Sequence, residues 1–388
     1  MFDGTESWQE FAAAAARQAG KLHLASVSEK LRGLHQRIRE RHGAIERIAV
    51  ALYDPETKRI KTFAASTDRG KSLEGYECPL AEVPSLVAVA DSGEARVIND
   101  LAAEPLADTP HSRWLRGEAY LSSLTLPIQR NGHLLGFLFF DARVRGAFPE
   151  QVVSSLHLFG HLLGMIIAQE LASVQMLVGG LRLASQFAHL RDLETGAHLD
   201  RMARYARLIA REIAPAHGLG DDYAEDIFLF APLHDVGKVG VPDRILLKPG
   251  PLDQDERKAM QLHVTLGLEM ADRLINDFGL ANLASVHMLR NIVVAHHERM
   301  DGSGYPYGLK GDEIALEARI VATADVFDAL ACARSYKPAW TLEHAFEEIT
   351  RMAGDKLYGP TVEALLKHRA EATAIHDRFE NSVPPQHV

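Results

Sequence analysis

The chain has 388 residues, enough for two domains of ordinary size, each with its own core. It is 47% hydrophobic and 24% charged and has no low-complexity segment, which excludes a disordered or fibrous protein. A net charge of −10 argues against binding a DNA or RNA polymer, which needs a positive surface, but not against a small anionic substrate held by metal ions.

The acidic start MFDGTESWQEF lacks a basic-then-apolar pattern, and stretches such as Leu134–Phe140 and Ile227–Leu233 are too short to cross a bilayer. A cytoplasmic protein without a membrane segment is expected. Cys78 and Cys332 lie far apart with no metal-site spacing and are expected to be reduced and structural. Histidine is the unusual count: 19, of which ten fall between His189 and His368.

Along residues 8–46, Ala12–Ala16 and then Leu22, Leu24, Val27, Leu31, Leu34 and Ile38 recur at helical spacing, predicting helix in one or two pieces. IAVALYD and RIKTFAAS, parted by the Asp54-Pro55 turn signal, predict an antiparallel hairpin. A short helix is expected around Ser85–Ala90, and strands at Ala95–Ile98, Ser122–Gln129 and His133–Asp141. The last two are joined by Asn131-Gly132, a pair that favours a tight hairpin turn, and Gly136 marks a bulge or a close approach. The spacing therefore predicts an α+β domain with an antiparallel sheet within residues 1–150. Its order of elements, and the hairpin of Leu124–Ile128 with Leu134–Leu138 above all, resembles a GAF domain, a sensing module of bacterial signalling proteins. The resemblance names no ligand.

Residues 151–190 predict one long linker helix. Leu156, Phe159, Leu162, Leu163, Ile166, Ile167, Leu171, Val174, Leu177 and Leu181 form a nearly unbroken apolar stripe, which suits a homodimer. Residues 186–370 read as helical with loops rich in Gly and Pro, predicting an all-α domain whose site lies between helices, followed by a tail over 371–388.

Five segments of this second domain carry metal-type side chains: Glu194 with His198, His234-Asp235 with Lys238 beyond, His263, His296-His297-Glu298, and Asp325 with Asp328. Imidazole and carboxylate donors without sulfur point to iron, manganese, magnesium or zinc in a hydrolytic site. Eight such side chains exceed what one ion takes, so two or three ions are expected. Asp235, in an otherwise apolar stretch, must be paired or metal-bound.

RDLETGAHLDR, LHDVGKVGVPD, LLKPGPL, HHERMDGSGYPYGLKGDEI and ARIVATADVFDAL, in that order, resemble the successive signatures of the HD-GYP family of metal-dependent phosphohydrolases. The resemblance covers about residues 180–365. It implies a helical HD-type fold and hydrolysis of cyclic di-GMP to the linear dinucleotide pGpG, in some members on to GMP. It also implies two or three metal ions, often iron and sometimes manganese, with a water held between them attacking phosphorus. Carried over by motif, Asp235 bridges two ions. His263, His296 and His297 lie on one side of it. His234 and Asp325 hold the other ion, with His198 and Glu194 as further ligands. Lys238 would contact the phosphate or the bridging water. Gly304, Tyr305 and Pro306 would shape the substrate pocket, and Arg334 and Lys337 would hold the substrate phosphates. Glu298 or Asp328 is expected to orient ligands. Pro232, just before the HD pair, departs from the family pattern and is expected to kink a helix there. Two alternatives stay open: another cyclic dinucleotide as substrate, and a receptor that binds cyclic di-GMP without turnover and signals through partner proteins.

Overall fold

A computed structural model describes residues 27–380, apart from 56, 105–108, 190–195, 282, 284 and 333–339. The helix expected before residue 27, the tail beyond 380 and three predicted site residues, Glu194, Arg334 and Lys337, lie outside the described residues. The chain divides into two compact units, one of Ala25–Ser173 with Leu219–Asp222, the other containing Val174–Gly218 and the chain from Tyr223 on.

The first unit begins with α1 (Val27–Arg41), which buries Val27, Leu31, His35 and Ile38 along one helical stripe. β1 (Arg47–Asp54) and β2 (Arg59–Thr67) form the first hairpin, and β3 (Glu77–Pro79) pairs with β2 at the sheet edge. Next come α2 (Pro84–Ser92), β4 (Arg96–Ile98) and α3 (Pro110–Gly117). Thr109 caps α3 by accepting the Ser112 N–H. β5 (Ser122–Arg130) and β6 (His133–Ala142) form the second hairpin. Asn131 and Gly132 both have positive φ, 52° and 78°, the backbone that a two-residue turn between twisted strands requires. The strand order β3-β2-β1-β6-β5-β4 is antiparallel throughout.

Strand alternation gives this sheet two faces. Ile48, Val50, Leu124, Leu126, Leu138 and Phe140 pack with Leu31 and Ile38 of α1 and with Leu156, Leu163 and Ile167 of the long helix α4 (Glu150–His189). Ala49, Ala51, Phe137 and Phe139 pack on the other side with Leu86 and Val89 of α2. Gly136 is a close approach: a Cβ there would stand 2.1 Å from the Ala51 carbonyl oxygen. β3 and α3 were not expected. Three residues ending in Cys-Pro are too short to show alternation, and α3 is a two-turn helix.

In α4, Glu150–Leu181 is long and apolar enough to cross a membrane by length and composition. The continuous apolar runs read from the sequence pass over this stretch because Ser, Gly, His and Gln interrupt it, although no Asp, Glu, Lys or Arg occurs from 151 to 169.

The second unit is helical among its described residues. After α4 come α5 (Gly196–Ile213), α6 (Asp221–Phe230), α7 (Asp243–Leu246), α8 (Gln254–Gln261), α9 (His263–Asp277) and α10 (Val286–Ala295). They are followed by α11 (Leu316–Ala331), α12 (Leu342–Met352), α13 (Gly359–Lys367) and α14 (Arg369–Glu380). Its core gathers Val174, Leu177 and Leu181 of α4 with Met202, Tyr205 and Ile209 of α5 and Ile320 and Phe327 of α11. Tyr205 meets Phe327 edge-on at 5.1 Å, and Phe327 meets Phe346 of α12 at 4.7 Å. This packing fixes α5 against α11, the two helices that carry His198 and Asp325.

Candidate metal centre

α6 stops at Phe230, and Pro232, which has no N–H to continue the ladder, sits in a 3₁₀ turn, Ala231–Leu233. A second 3₁₀ turn spans Val236–Gly240, so His234 and Asp235 lie between two tight turns rather than on a kinked α-helix. Glycine lets this turn reach α9: a Cβ on Gly237 would stand 1.9 Å from the His263 carbonyl oxygen and 2.4 Å from the Gly267 nitrogen. Asp235 is thereby brought to His263. His296 and His297 follow directly on the end of α10.

The ligand-type atoms fall into two groups, each with its members within 4.8 Å of one another: Asp235, His263, His296 and His297, and His198, His234 and Asp325. Asp235 faces both. Its Oδ1 lies 3.0 Å from His263 Nε2 and 3.7 Å from His296 Nε2, and its Oδ2 lies 3.1 Å from His234 Nε2. Asp325 Oδ1 is 3.8 Å from His198 Nε2 and 4.0 Å from His234 Nε2.

The other ring nitrogens explain why these atoms converge. His234 Nδ1 lies 2.9 Å from the Ala231 carbonyl, His263 Nδ1 2.8 Å from that of Met260, and His296 Nδ1 3.0 Å from that of Ile292. A carbonyl can only accept, so Nδ1 carries the hydrogen and, in the neutral ring, Nε2 turns a lone pair to the centre. Lone pairs and carboxylate oxygens then face one another. Nε2 of His198, His234, His263 and His296, together with Asp235 Oδ1, are buried without a hydrogen-bond partner. A cation between them resolves that opposition, and nitrogen and oxygen donors without sulfur suit a divalent metal. The residues present fit two such ions.

The surrounding residues hold this arrangement. Asp328, one turn along α11 from Asp325, accepts from His198 Nδ1 at 2.6 Å and from Arg201 Nε at 2.6 Å. Arg201 was not singled out from the sequence; its signal is the i+3 spacing from His198, which places both on one face of α5. Lys238 Nζ stands 2.9 Å from Asp235 Oδ2. Among the described residues, Glu298 contacts none of the candidate metal ligands. Instead its carboxylate accepts the backbone N–H groups of Tyr307 at 2.7 Å and Leu309 at 3.0 Å and so holds the loop after His297. In that loop, Gly304 lies on the backbone of residues 297–299, where a Cβ would stand 2.5 Å from Glu298 Cα. This seats the Tyr305 ring 4.6 Å from that of His297. Pro306 follows Tyr305 through a cis peptide bond.

The electrostatics follow the same layout. Burial opposes charge on His234, but the adjacent Asp235 and then Asp325 outweigh it and push His234 up to about 9. Burial likewise opposes charge on Asp235, yet Lys238 and His234 hold it well below the usual carboxylate range. His297 is pushed well down by burial and by His296 beside it. The pocket thus pairs a fixed anion with a ring of imidazoles, one of them biased toward positive charge.

Comparison with known proteins agrees with this geometry. Residues 193–362 match the HD domain family and residues 25–168 the GAF domain family. Over 193 residues the chain is 44% identical to the cyclic di-GMP phosphodiesterase response regulator RpfG of Xanthomonas campestris, covering 50% of this chain and 48% of that protein. It is 42% identical over 199 residues to a cyclic di-GMP phosphodiesterase of Thermotoga maritima, covering 51% of each. It is also 44% identical over 185 residues to the 3′3′-cGAMP-specific phosphodiesterase 2 of Vibrio cholerae, covering 48% of this chain and 33% of that protein. The chain thus spans about half the length, or less, of these relatives. It carries a GAF domain followed by an HD-superfamily domain, an architecture that matches proteins of the HD-GYP type.

Proposed function

We propose that this protein is a metal-dependent phosphodiesterase that hydrolyses cyclic di-GMP to linear pGpG, and on to GMP, under the control of its GAF domain. The observation that carries this reading is the set of partnerless buried Nε2 atoms gathered around Asp235. His198, His234 and Asp325 would hold one ion and His263, His296 and His297 the other, with Asp235 bridging; Glu194 would add a ligand for a third. Iron, with manganese as the alternative, suits a donor set of imidazoles and carboxylates. When bound, such ions polarise a phosphoryl group and make water nucleophilic at neutral pH.

The chain's own groups would position the substrate. Asp235 and Lys238, at 2.9 Å, place an ammonium beside the central carboxylate, where it can meet a phosphate oxygen. The loop of Gly304, Tyr305 and Pro306 would wall the pocket through the Tyr305 ring. Arg334 and Lys337 would hold the phosphates of the dianion. A 3′3′-linked cyclic GMP–AMP is the second substrate reading, because the Vibrio cholerae protein named for it is as similar as the Xanthomonas regulator.

The test is turnover of both dinucleotides by the iron- or manganese-loaded full chain, with products separated by chromatography. Linear pGpG supports the first reading, and preferential cleavage of the mixed dinucleotide supports the second. Tight binding without any linear product overturns both in favour of a receptor.

We further propose a cytoplasmic homodimer formed along α4. Leu158, Leu162, Met165, Met176 and Leu183 are exposed and fall on one 3.5-residue repeat, the seam of a coiled coil. The opposite stripe of α4 is taken up by the cores of the two units, which favours a signalling helix over a membrane span. Light scattering of the wild type and of Leu162→Glu tests this; a monomeric wild type would sink it.

A further inference from the structure

The loop that carries Tyr305 runs from Glu298 to Lys310, and its two limbs meet in an antiparallel bridge between Asp301 and Lys310. Its feet are anchored in the helical domain. Met300 and Leu309 pack with Ala295 of α10 and Ala318 of α11, and the Glu298 carboxylate takes the N–H groups of Tyr307 and Leu309. These contacts secure the returning limb. The outgoing limb, Asp301 to Tyr305, has a different support.

That support is Lys356, in the turn between α12 and α13, where Gly354, at φ 88°, donates its N–H to the Leu357 carbonyl at 2.8 Å. Lys356 grips the limb with both backbone and side chain. Its carbonyl accepts the Met300 N–H at 3.3 Å, and its ammonium pairs with Asp301 and donates to Ser303 Oγ at 2.9 Å. Asp301 also accepts the Ser303 N–H at 3.0 Å, which closes the group. Lys356, and then Ser303, hold the Asp301 carboxyl well below the usual carboxylate range.

The turn is in its own right fixed to the metal centre. Leu357 is buried in the core, and Thr361 of α13 brings its hydroxyl 2.7 Å from that of Thr323 on α11, both fully buried. Two residues beyond Thr323 stands Asp325, of one ligand group, while the Tyr305 ring lies against His297, of the other. Lys356 therefore ties the limb that leads to Tyr305 to the helix that carries Asp325.

We propose that Lys356 is a positioning residue for substrate: by holding Asp301 and Ser303 it sets the Tyr305 ring at the spacing from Asp325 that a cyclic dinucleotide must fit. Among the described residues its side chain contacts the loop and no metal ligand, so its effect falls on substrate binding rather than on metal or on the chemical step. The inference rests on the phosphodiesterase reading of this site.

The test compares wild type, Lys356→Met, Lys356→Arg, Asp301→Asn and the Lys356→Met, Asp301→Asn double variant, each as the manganese-loaded full chain with cyclic di-GMP. Lys356→Met is expected to raise KM about three- to tenfold, the effect of losing a partly exposed ion pair and one hydrogen bond, with kcat and bound metal unchanged. Asp301→Asn keeps an acceptor for Ser303 but loses the charge, and should act in the same direction. The double variant should be no worse than Lys356→Met, because both changes remove one interaction. Lys356→Arg should restore most of the wild-type KM. Without substrate, the amide hydrogens of residues 301–305 should exchange faster in Lys356→Met than in wild type. Unchanged KM, a fall in kcat or metal content in place of the rise in KM, or additive effects of the two substitutions would each overturn the proposal. If the wild type cleaves neither dinucleotide, the functional reading fails instead, and the exchange rates still decide. Faster exchange in Lys356→Met upholds Lys356 as the support of the loop, and equal exchange overturns it.

Discussion

Asp328 divides its carboxylate between His198 and Arg201, taking the imidazole Nδ1 on Oδ2 at 2.6 Å and the guanidinium Nε on Oδ1 at 2.6 Å. Arg201 Nη2 adds a further bond to Oδ2 at 2.9 Å, so the carboxylate is fixed from both sides. His198 Nδ1 is held by a side chain, whereas those of His234, His263 and His296 are held by backbone carbonyls.

Asp328→Asn should therefore weaken the metal site without abolishing the fold. Groups that orient a metal-bound histidine typically contribute about 10- to 100-fold in metal affinity or activity. Elemental analysis and kcat at limiting metal check this, and Asp235→Asn should cost more than Asp328→Asn in both. The pH sign is also set. Burial opposes the Asp328 charge, but the bonds from His198 and Arg201 hold its folded pKa below the ordinary value of about 4. Its stabilisation is complete above that ordinary value and is lost as pH falls through the depressed one. Asp328→Asn should flatten the acid limb of helical-domain unfolding, and an unchanged limb would contradict the assignment.

Removal of metal should destabilise the helical domain and leave the GAF domain unaffected. Chelation removes the cation that these donors would share and leaves His234 and His263 Nε2 at 3.1 and 3.0 Å from the Asp235 carboxylate. A ligand at 100 times its Kd stabilises the folded state by about 2.7 kcal/mol. For a domain of this size that corresponds to a fall in Tm of roughly 5–10 °C on chelation, reversed by adding metal back. Calorimetry resolves the two transitions, and a helical domain that melts at the same temperature with and without metal would refute the centre.

Gly237 and Gly240 should differ sharply when each is replaced by alanine. At Gly237 the new Cβ meets backbone, 1.9 Å from the His263 oxygen, and the HD turn cannot retreat without moving Asp235. At Gly240 the nearest atom is Leu266 Cδ1 at 2.8 Å, the far end of a flexible side chain. Gly237→Ala is expected to cost about 1–3 kcal/mol or more, with loss of metal, and Gly240→Ala well under that. Denaturant midpoints and metal content of the two variants give the comparison.

Stability of the GAF domain should fall as pH drops below about 6.5. His35 sits in its core, with Nδ1 2.8 Å from Ser66 Oγ and Nε2 3.2 Å from the Ile45 carbonyl. Burial pushes its pKa below the ordinary value, against the hydrogen bond to Ile45. The unfolded chain then binds the proton first, so stability is full above the unfolded pKa of about 6.5 and declines as pH falls toward the folded one. One group gives a slope of at most about 1.4 kcal/mol per pH unit. His35→Gln should flatten that decline, as read by thermal unfolding across pH 5–8.

The sequence by itself determined the element types and the chemical kinds of the site residues. Period-two alternation around Asn131-Gly132 located the second hairpin, because a two-residue turn needs positive φ at both positions and these residues adopt it. The HD pair, the two adjacent histidines and Asp325 were legible as donors because a carboxylate or a pair of imidazoles in an apolar run needs a partner.

Only the tertiary structure brings these donors together in space, in two groups drawn from helices far apart in the chain, with Asp235 reaching His263 through the Gly237–Gly267 approach. The fold also replaced the expected kinked helix at His234 by two 3₁₀ turns, gave Glu298 a loop to hold in place of a ligand, and brought in Arg201. It likewise brought Arg47, Arg96, Tyr120 and Thr125 together in the GAF domain. Local spacing reports which face of an element a residue occupies. Whether its polar atoms find partners there depends on what other elements bring against that face.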